Sequence, residues 1–262
     1  MHRGTGDRTR VTLSTGHEIA LPLDLEFAMG GVTVPARRDR LEALLPDALS
    51  SLAIAPGIGC VTFVGIQYHR VGGGRDATSP DADSAAGSAA AGLEPYDEFA
   101  VIVPAVRGGR TDRPVAQLLD GEIGGYVHWL PVTTDPSVAL GREIWGYPKE
   151  RADITVTDGP RGLRTVVRNG ETGETVRLEV PRPRTRIGDS DRTLWSYTTM
   201  DGDLVRTRAR IRGEIAVGTG LGTTLEIDPD LRATLGCRTR PIASLYGSRV
   251  RAWLSDGERV GS

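Results

Sequence analysis

The sequence predicts a mainly β (α+β) protein: a curled or closed, barrel-like antiparallel sheet with a few short helices. Short stretches rich in β-branched and aromatic residues recur along the chain, divided by Gly, Pro, Asn and Asp turn signals. Apolar and polar residues alternate within many of them, and helical spacing is confined to brief segments. At 262 residues the chain can bury a proper core. No internal repeat or shift in composition divides it. Residues 1–15, polar and glycine-containing, are expected to be flexible, and residues 16–262 to form a single domain.

In chain order, Ile19 to Val34 alternates and is extended, with Gly30-Gly31 as a turn or bulge. Arg37 to Leu49 places Leu41, Leu44 and Leu45 at helical spacing until Pro46 ends the helix. Gly59 to Arg70 is a strand. Residues 72–95, almost wholly Gly, Ala, Ser, Asp and Pro, bury too little apolar surface to offset their ordering entropy and are expected to form a mobile loop. In the strand that follows, Tyr96, Glu98 and Ala100 share one face while Asp97, Phe99 and Val101 share the other. Gly124 to Val132 is another strand. A short helical turn runs from Asp135 to Leu140, with Asp135 as N-cap and Pro136 at the first helical position. Strands then recur at Asp153–Thr157, Leu163–Arg168, Thr175–Val180, Leu204–Val217 and Thr223–Ile227. Asp158-Gly159-Pro160 and Asn169-Gly170 supply turns, Pro181 to Arg184 is a loop, and the Gly218–Gly222 run is a turn or bulge. Periodicity fits Ala243 to Leu254 to a strand or a short helix.

A formal charge of −2 with 25% charged residues offers no electrostatic case for nucleic acid or an anionic membrane. Cys60 and Cys237 make neither a ligand cluster nor a disulfide framework and suit buried apolar positions. His2, His17, His69 and His128 are scattered, so no metal site is expected. No nucleophile elbow, phosphate-binding loop or dinucleotide fingerprint occurs. With neither a signal peptide nor a long apolar run, the expectation is a soluble cytoplasmic protein.

One stretch stands apart: Gly141 to Glu150, GREIWGYPKE. Gly146 and Pro148 stop a helix, and Tyr147, preceding proline, is driven into an extended conformation. Trp145 and Tyr147 set apolar bulk beside Lys149, one of very few primary amines in an arginine-rich chain. An amine in apolar surroundings loses solvation of its charged form, which favours the neutral nucleophile that Schiff-base chemistry requires. The plain alternative is a lysine snorkelling from the end of a strand.

This stretch resembles the core motif of the acetoacetate decarboxylase-like superfamily, in which a Gly-Arg-Glu segment leads into an aromatic-Pro-Lys turn whose lysine forms an iminium. The resemblance implies that Lys149 is the nucleophile and that Glu98, within Tyr96-Asp97-Glu98, moves protons around the iminium. It also implies a lyase without a cofactor, a β-rich scaffold and a homo-oligomer. Arg142 and Glu143 fit best as a local ion pair or a brace for the turn; alternatively, they touch a substrate carboxylate, which suits the arginine fork.

Three departures from the decarboxylase pattern shape the expected chemistry. Decarboxylases of the family carry a second lysine directly after the nucleophile, where this chain has Glu150. Val64 falls where they carry a glutamate, and Phe27 where they carry an arginine. Charged groups suited to a β-keto acid are thereby replaced by apolar ones. The resemblance then points to a small 2-oxo acid such as pyruvate, condensed with an aldehyde and dehydrated, as occurs among family members outside the decarboxylases. Arg142, Trp145, Tyr147, Phe27, Val64 and Tyr246 are the expected pocket residues. The alternatives are a β-keto acid decarboxylase and a small-ligand-binding β-barrel without turnover, the latter motivated by a carboxylate at Glu150 beside the amine.

Overall fold

The computed structural model describes residues 9–73, 92–108, 123–168, 175–183 and 188–260. Its centre is a closed seven-stranded barrel. Strands β1 (Thr9–Thr12) and β2 (Glu18–Leu21) form an outlying hairpin. The barrel is built from β3 (Leu23–Arg37), β5 (Ile58–Gly72), β7 (Asp97–Arg107), β8 (Ile123–Val132), β13 (Asp189–Met200), β14 (Asp203–Glu214) and β17 (Ala243–Arg259). Around the ring the order is β7-β5-β3-β17-β14-β13-β8, and β8 pairs with β7 again to close it. Every pairing in the ring is antiparallel except β13 with β8. Short β4 (Leu49–Ser51) and β6 (Gly92–Leu93) extend its edges, β9 (Lys149–Arg151) adds to β8 in parallel, and β15 (Ala216–Gly218) pairs with β17.

A second sheet, β10 (Asp153–Gly159), β11 (Gly162–Arg168), β12 (Thr175–Pro181) and β16 (Thr224–Ile227), covers one outer flank of the barrel. Alternation in β3, β5 and β7 sends Val32, Phe63, Phe99 and Val101 outward against Ile154, Val156, Leu163 and Leu178 of this sheet. Phe27, Val64, Tyr68 and Ala100 point inward, into a separate apolar cluster with Trp145 and Tyr147. Two apolar faces on one strand explain why these strands are nearly continuously hydrophobic. Three short helices complete the chain: α1 (Arg38–Glu42), α2 (Asp135–Trp145) and α3 (Pro229–Leu235). Among the described residues no helix is long and apolar enough to cross a membrane.

The barrel expectation is met, while several local expectations are corrected. Gly30-Gly31 is neither a turn nor the site of the bulge, which lies at Glu26/Phe27. Both glycines sit within β3, and a Cβ on Gly30 would lie 3.0 Å from Leu163 Cβ, so the second sheet packs on bare backbone there. The regular first helix ends at Glu42, and Leu44 N and Leu45 N then donate to the carbonyls of Leu41 and Glu42 in a tightened turn that reaches Pro46. Thr134, not Asp135, caps α2, and that helix continues past Leu140 to Trp145. Ala243 to Leu254 is strand, held by β14 on one side and β3 on the other. Thr9 to Thr12 is hydrogen-bonded to β2 rather than frayed. Most of the glycine- and alanine-rich 72–95 segment and the Asn169-Gly170 turn lie outside the described residues.

Candidate active site

Helix α2 and strand β9 place the lysine. Thr134 Oγ1 accepts from Ser137 N at the start of α2, and Gly146, at φ +65°, ends it in the left-handed conformation that a side chain disfavours. The N–H groups of Gly146 and Tyr147 turn back onto the carbonyls of Arg142 and Gly141. Lys149 N then donates to Tyr147 O at 2.7 Å across Pro148, a tight three-residue turn. Arg142 Nε donates to Lys149 O at 2.6 Å, so the arginine braces the turn while its guanidinium also lines a hollow beside it. Glu143 accepts from the backbone and hydroxyl of Ser14 and does not pair with Arg142.

The Lys149 stem runs across the bare backbone of Gly141 into the barrel. Lys149 and Glu98 are each only 4% exposed, and Nζ lies 2.7 Å from Glu98 Oε2. Nζ also donates to Tyr96 Oη at 3.1 Å, and Tyr68 Oη donates to Glu98 Oε1 at 3.2 Å. Oε2 is thus the carboxylate oxygen that faces Nζ, and Oε1 the one that Tyr68 holds. Burial, and next the Glu98 charge, push both tyrosine hydroxyls well above 10, so they stay protonated and able to donate. Burial likewise pushes Tyr147 to about 12. Lys149 is the only lysine in the sequence, against 31 arginines.

Five of the six expected pocket residues gather around this pair or brace its turn. The Phe27 ring stands edge-on to Tyr68 with centroids 5.5 Å apart, and Val64 faces inward opposite Ala100. The ring of Tyr147 packs 5.7 Å from Trp145, its hydroxyl shares a hydrogen bond with Ser196, and Trp145 Nε1 donates to Ser255 O. Tyr246 is elsewhere. Its hydroxyl donates to Asp158 Oδ1 at 2.7 Å and Arg182 covers its ring, on the flank that meets the second sheet. Opposite Gly30 in register, it takes the outward face of β17. Glu150 points away from the amine and accepts from Trp129 Nε1 at 2.6 Å, so the carboxylate that pairs with Lys149 is Glu98.

Tyr68 was not singled out by sequence reasoning, because only the β5–β7 register brings it beside Glu98. Tyr96 shares a face with Glu98 by simple alternation, and that signal was available. Two hollows are bordered by neighbours of the pair, though not by Lys149 or Glu98 themselves: one of about 420 Å³ by His128, Arg142, Tyr147 and Pro148, and one of about 360 Å³ by Gln67, Tyr68, Tyr96 and Asp97. Among the described residues no three His, Cys, Asp or Glu side chains gather as metal ligands would.

The acetoacetate decarboxylase (ADC) family model matches residues 14–200, about seven-tenths of the chain and the whole Lys149–Glu98 arrangement. The chain belongs to the acetoacetate decarboxylase family. No curated protein sequence matches it. Among solved structures it is similar to acetoacetate decarboxylase from Legionella pneumophila, at 17% identity and a TM-score of 0.59, covering 99% of this chain and 93% of that one. An acetoacetate decarboxylase-like enzyme from Sphingomonas wittichii RW1 is 19% identical with a TM-score of 0.55, covering 91% and 92%. The enduracididine biosynthesis enzyme MppR, complexed with the condensation product of pyruvate and imidazole 4-carboxaldehyde, is 14% identical with a TM-score of 0.53, covering 91% and 89%. At these identities the likeness is one of fold.

Proposed function

We propose that this family member is a Schiff-base lyase that condenses a pyruvate-like 2-oxo acid with an aldehyde and dehydrates the product. The observation that carries the reading is the placement of the only lysine. A chain that uses arginine almost everywhere keeps a lysine at a buried position, where lysine is rare and costly. Arginine could supply a structural ion pair, but it cannot shed a proton and become a nucleophile.

Neutral Lys149 attacks the keto carbon, and loss of water gives the iminium. Glu98 Oε2, the carboxylate oxygen nearest Nζ, takes a proton from the adjacent methyl group and leaves an enamine, while Tyr68 holds Oε1. The enamine carbon bonds to the aldehyde carbon, and the Tyr96 hydroxyl, beside Nζ, protonates the new alkoxide. Glu98 returns its first proton to the Tyr96 phenolate and, a carboxylate again, removes a second proton from the same carbon. It then hands that proton to the departing hydroxyl, which leaves as water, and hydrolysis of the iminium releases an unsaturated oxo acid and the free amine. Phe27 and Val64 give the inner face an apolar character that suits an aldehyde better than a second carboxylate. MppR, with the same fold, has been solved with pyruvate and with a pyruvate condensation product.

Family membership favours a second reading, β-keto acid decarboxylation at the same lysine. Incubation with pyruvate and benzaldehyde, monitored for a conjugated oxo acid, and with acetoacetate, monitored for carbon dioxide, separates the two. Carbon dioxide release without condensation would overturn the aldol assignment. Lys149-dependent adducts without turnover would reduce the protein to a binder.

A further inference from the structure

The outward faces of β5 and β7 carry a contact that the chemistry above does not use. Gln67 and Asp97 are direct cross-strand partners. Gln67 Nε2 donates to Val156 O at 2.8 Å, and Val156 N donates to Asp97 Oδ2 at 2.9 Å. Val156 lies on β10, the edge strand of the second sheet, so two side chains satisfy backbone groups that a further strand would otherwise pair. Asp97 is fixed at its backbone as well: its N–H donates to Thr133 Oγ1 and its carbonyl accepts from Thr133 N, both at 3.1 Å. The residues that follow this pair are Tyr68 and Glu98, which point inward to the lysine.

We propose that Gln67 and Asp97 are positioning residues: they lock the second sheet to the barrel wall and thereby hold Tyr68 and Glu98 in register with Lys149. The second sheet then acts as a splint for the active site, joined to the barrel wall at Val156. This inference rests on the Schiff-base reading for its kinetic assay, and a substrate-free assay stands beside it.

The test compares Asp97→Ala, Asp97→Asn and Gln67→Ala with Val176→Ala, which thins the second sheet's core without touching the latch. The readouts are the urea midpoint and the rate at which borohydride traps pyruvate on Lys149. Asp97→Ala should slow trapping by about 10- to 100-fold, the cost of loosening a supporting contact and misplacing a reacting group. Asp97→Asn keeps an oxygen for Val156 N and should recover most of that loss. Gln67→Ala should slow trapping in the same direction, and it serves if Asp97→Ala does not fold. Val176→Ala, although destabilised, should trap like the unmodified protein. Trapping by Asp97→Ala at the unmodified rate would overturn the proposal, as would equal slowing in Val176→Ala, since reactivity would then follow stability alone. An unmodified protein that traps nothing refutes the Schiff-base reading instead. The latch is then judged by the rate at which acetic anhydride acylates Lys149, which must change in Asp97→Ala and be restored in Asp97→Asn.

Discussion

Replacing Gly141 with alanine normally stabilises a helix interior by about 0.5–1 kcal/mol. Within α2 the same change should do harm. The added Cβ would lie 2.4 Å from Lys149 Cδ, 2.7 Å from Cε and 2.8 Å from Cγ, whereas ordinary contact begins at 3.4 Å. The lysine stem must therefore retreat by about 1 Å, and it has little freedom to do so. Its carbonyl is held by Arg142, its N–H by Tyr147 and its amine by Glu98. Overpacking of this kind costs about 1–3 kcal/mol, more than the helix gains, so Gly141→Ala should be net destabilised by about 1–2 kcal/mol. A shift of about 1 Å at the amine should slow adduct formation by about 100-fold. Urea denaturation and timed borohydride quenching with pyruvate measure the two effects. A variant more stable than its parent with unchanged adduct formation would refute the placement of the lysine stem over Gly141.

Glu98→Gln preserves shape but not basicity, so exchange of pyruvate methyl protons with heavy water should fall by about 10²- to 10⁴-fold; unchanged exchange would remove Glu98 as the base. Burial holds His128 below its usual value of 6.5, so the native state binds fewer protons there than the unfolded chain. Its contribution to stability is complete above 6.5 and is lost as pH falls through the lower native value; His128→Gln should flatten that part of a urea-midpoint profile, and an unaltered slope would contradict the assignment. Burial pushes Cys60 and Cys237 up to about 11, so neither should react with a thiol reagent at neutral pH until denaturant is added. Rapid labelling of the native protein would show that these thiols are accessible.

Much of the fold was legible because its strands announce themselves. Phe63, Phe99 and Val101 recur among β-branched neighbours, and the expected Asp158–Pro160 turn is off by a residue or two, since Asp158 and Gly159 still pair within the hairpin and Pro160-Arg161 make the turn. Helix α3 and strand β13 were not legible: α3 is only seven residues long, and β13 begins with Asp189, Ser190 and Asp191, whose polarity conceals a strand that becomes buried only near Tyr197. Lys149 could be read because Gly146 and Pro148 leave the chain few conformations at that point. Glu98 was pointed to by the family resemblance rather than by its strand pattern, and the fold brings it within 2.7 Å of Nζ. Tyr246 was misplaced because aromatic character cannot tell the inner from the outer face of a barrel strand. That choice is set by register, here Tyr246 against Gly30, which lies far away in sequence. Tyr68 and the Gln67–Asp97 latch were hidden for the same reason, since they depend on which strands become neighbours.

The central claim is that Lys149 forms an iminium, and one measurement addresses it directly: intact and peptide mass after borohydride reduction with pyruvate, for the unmodified protein and Lys149→Arg. Because the chain has no other lysine, the only competing amine is the N-terminus. The expected result is a single reduced pyruvate adduct on the peptide containing Trp145 to Arg151, absent from Lys149→Arg. No adduct, or one confined to the N-terminal amine in both proteins, would contradict it.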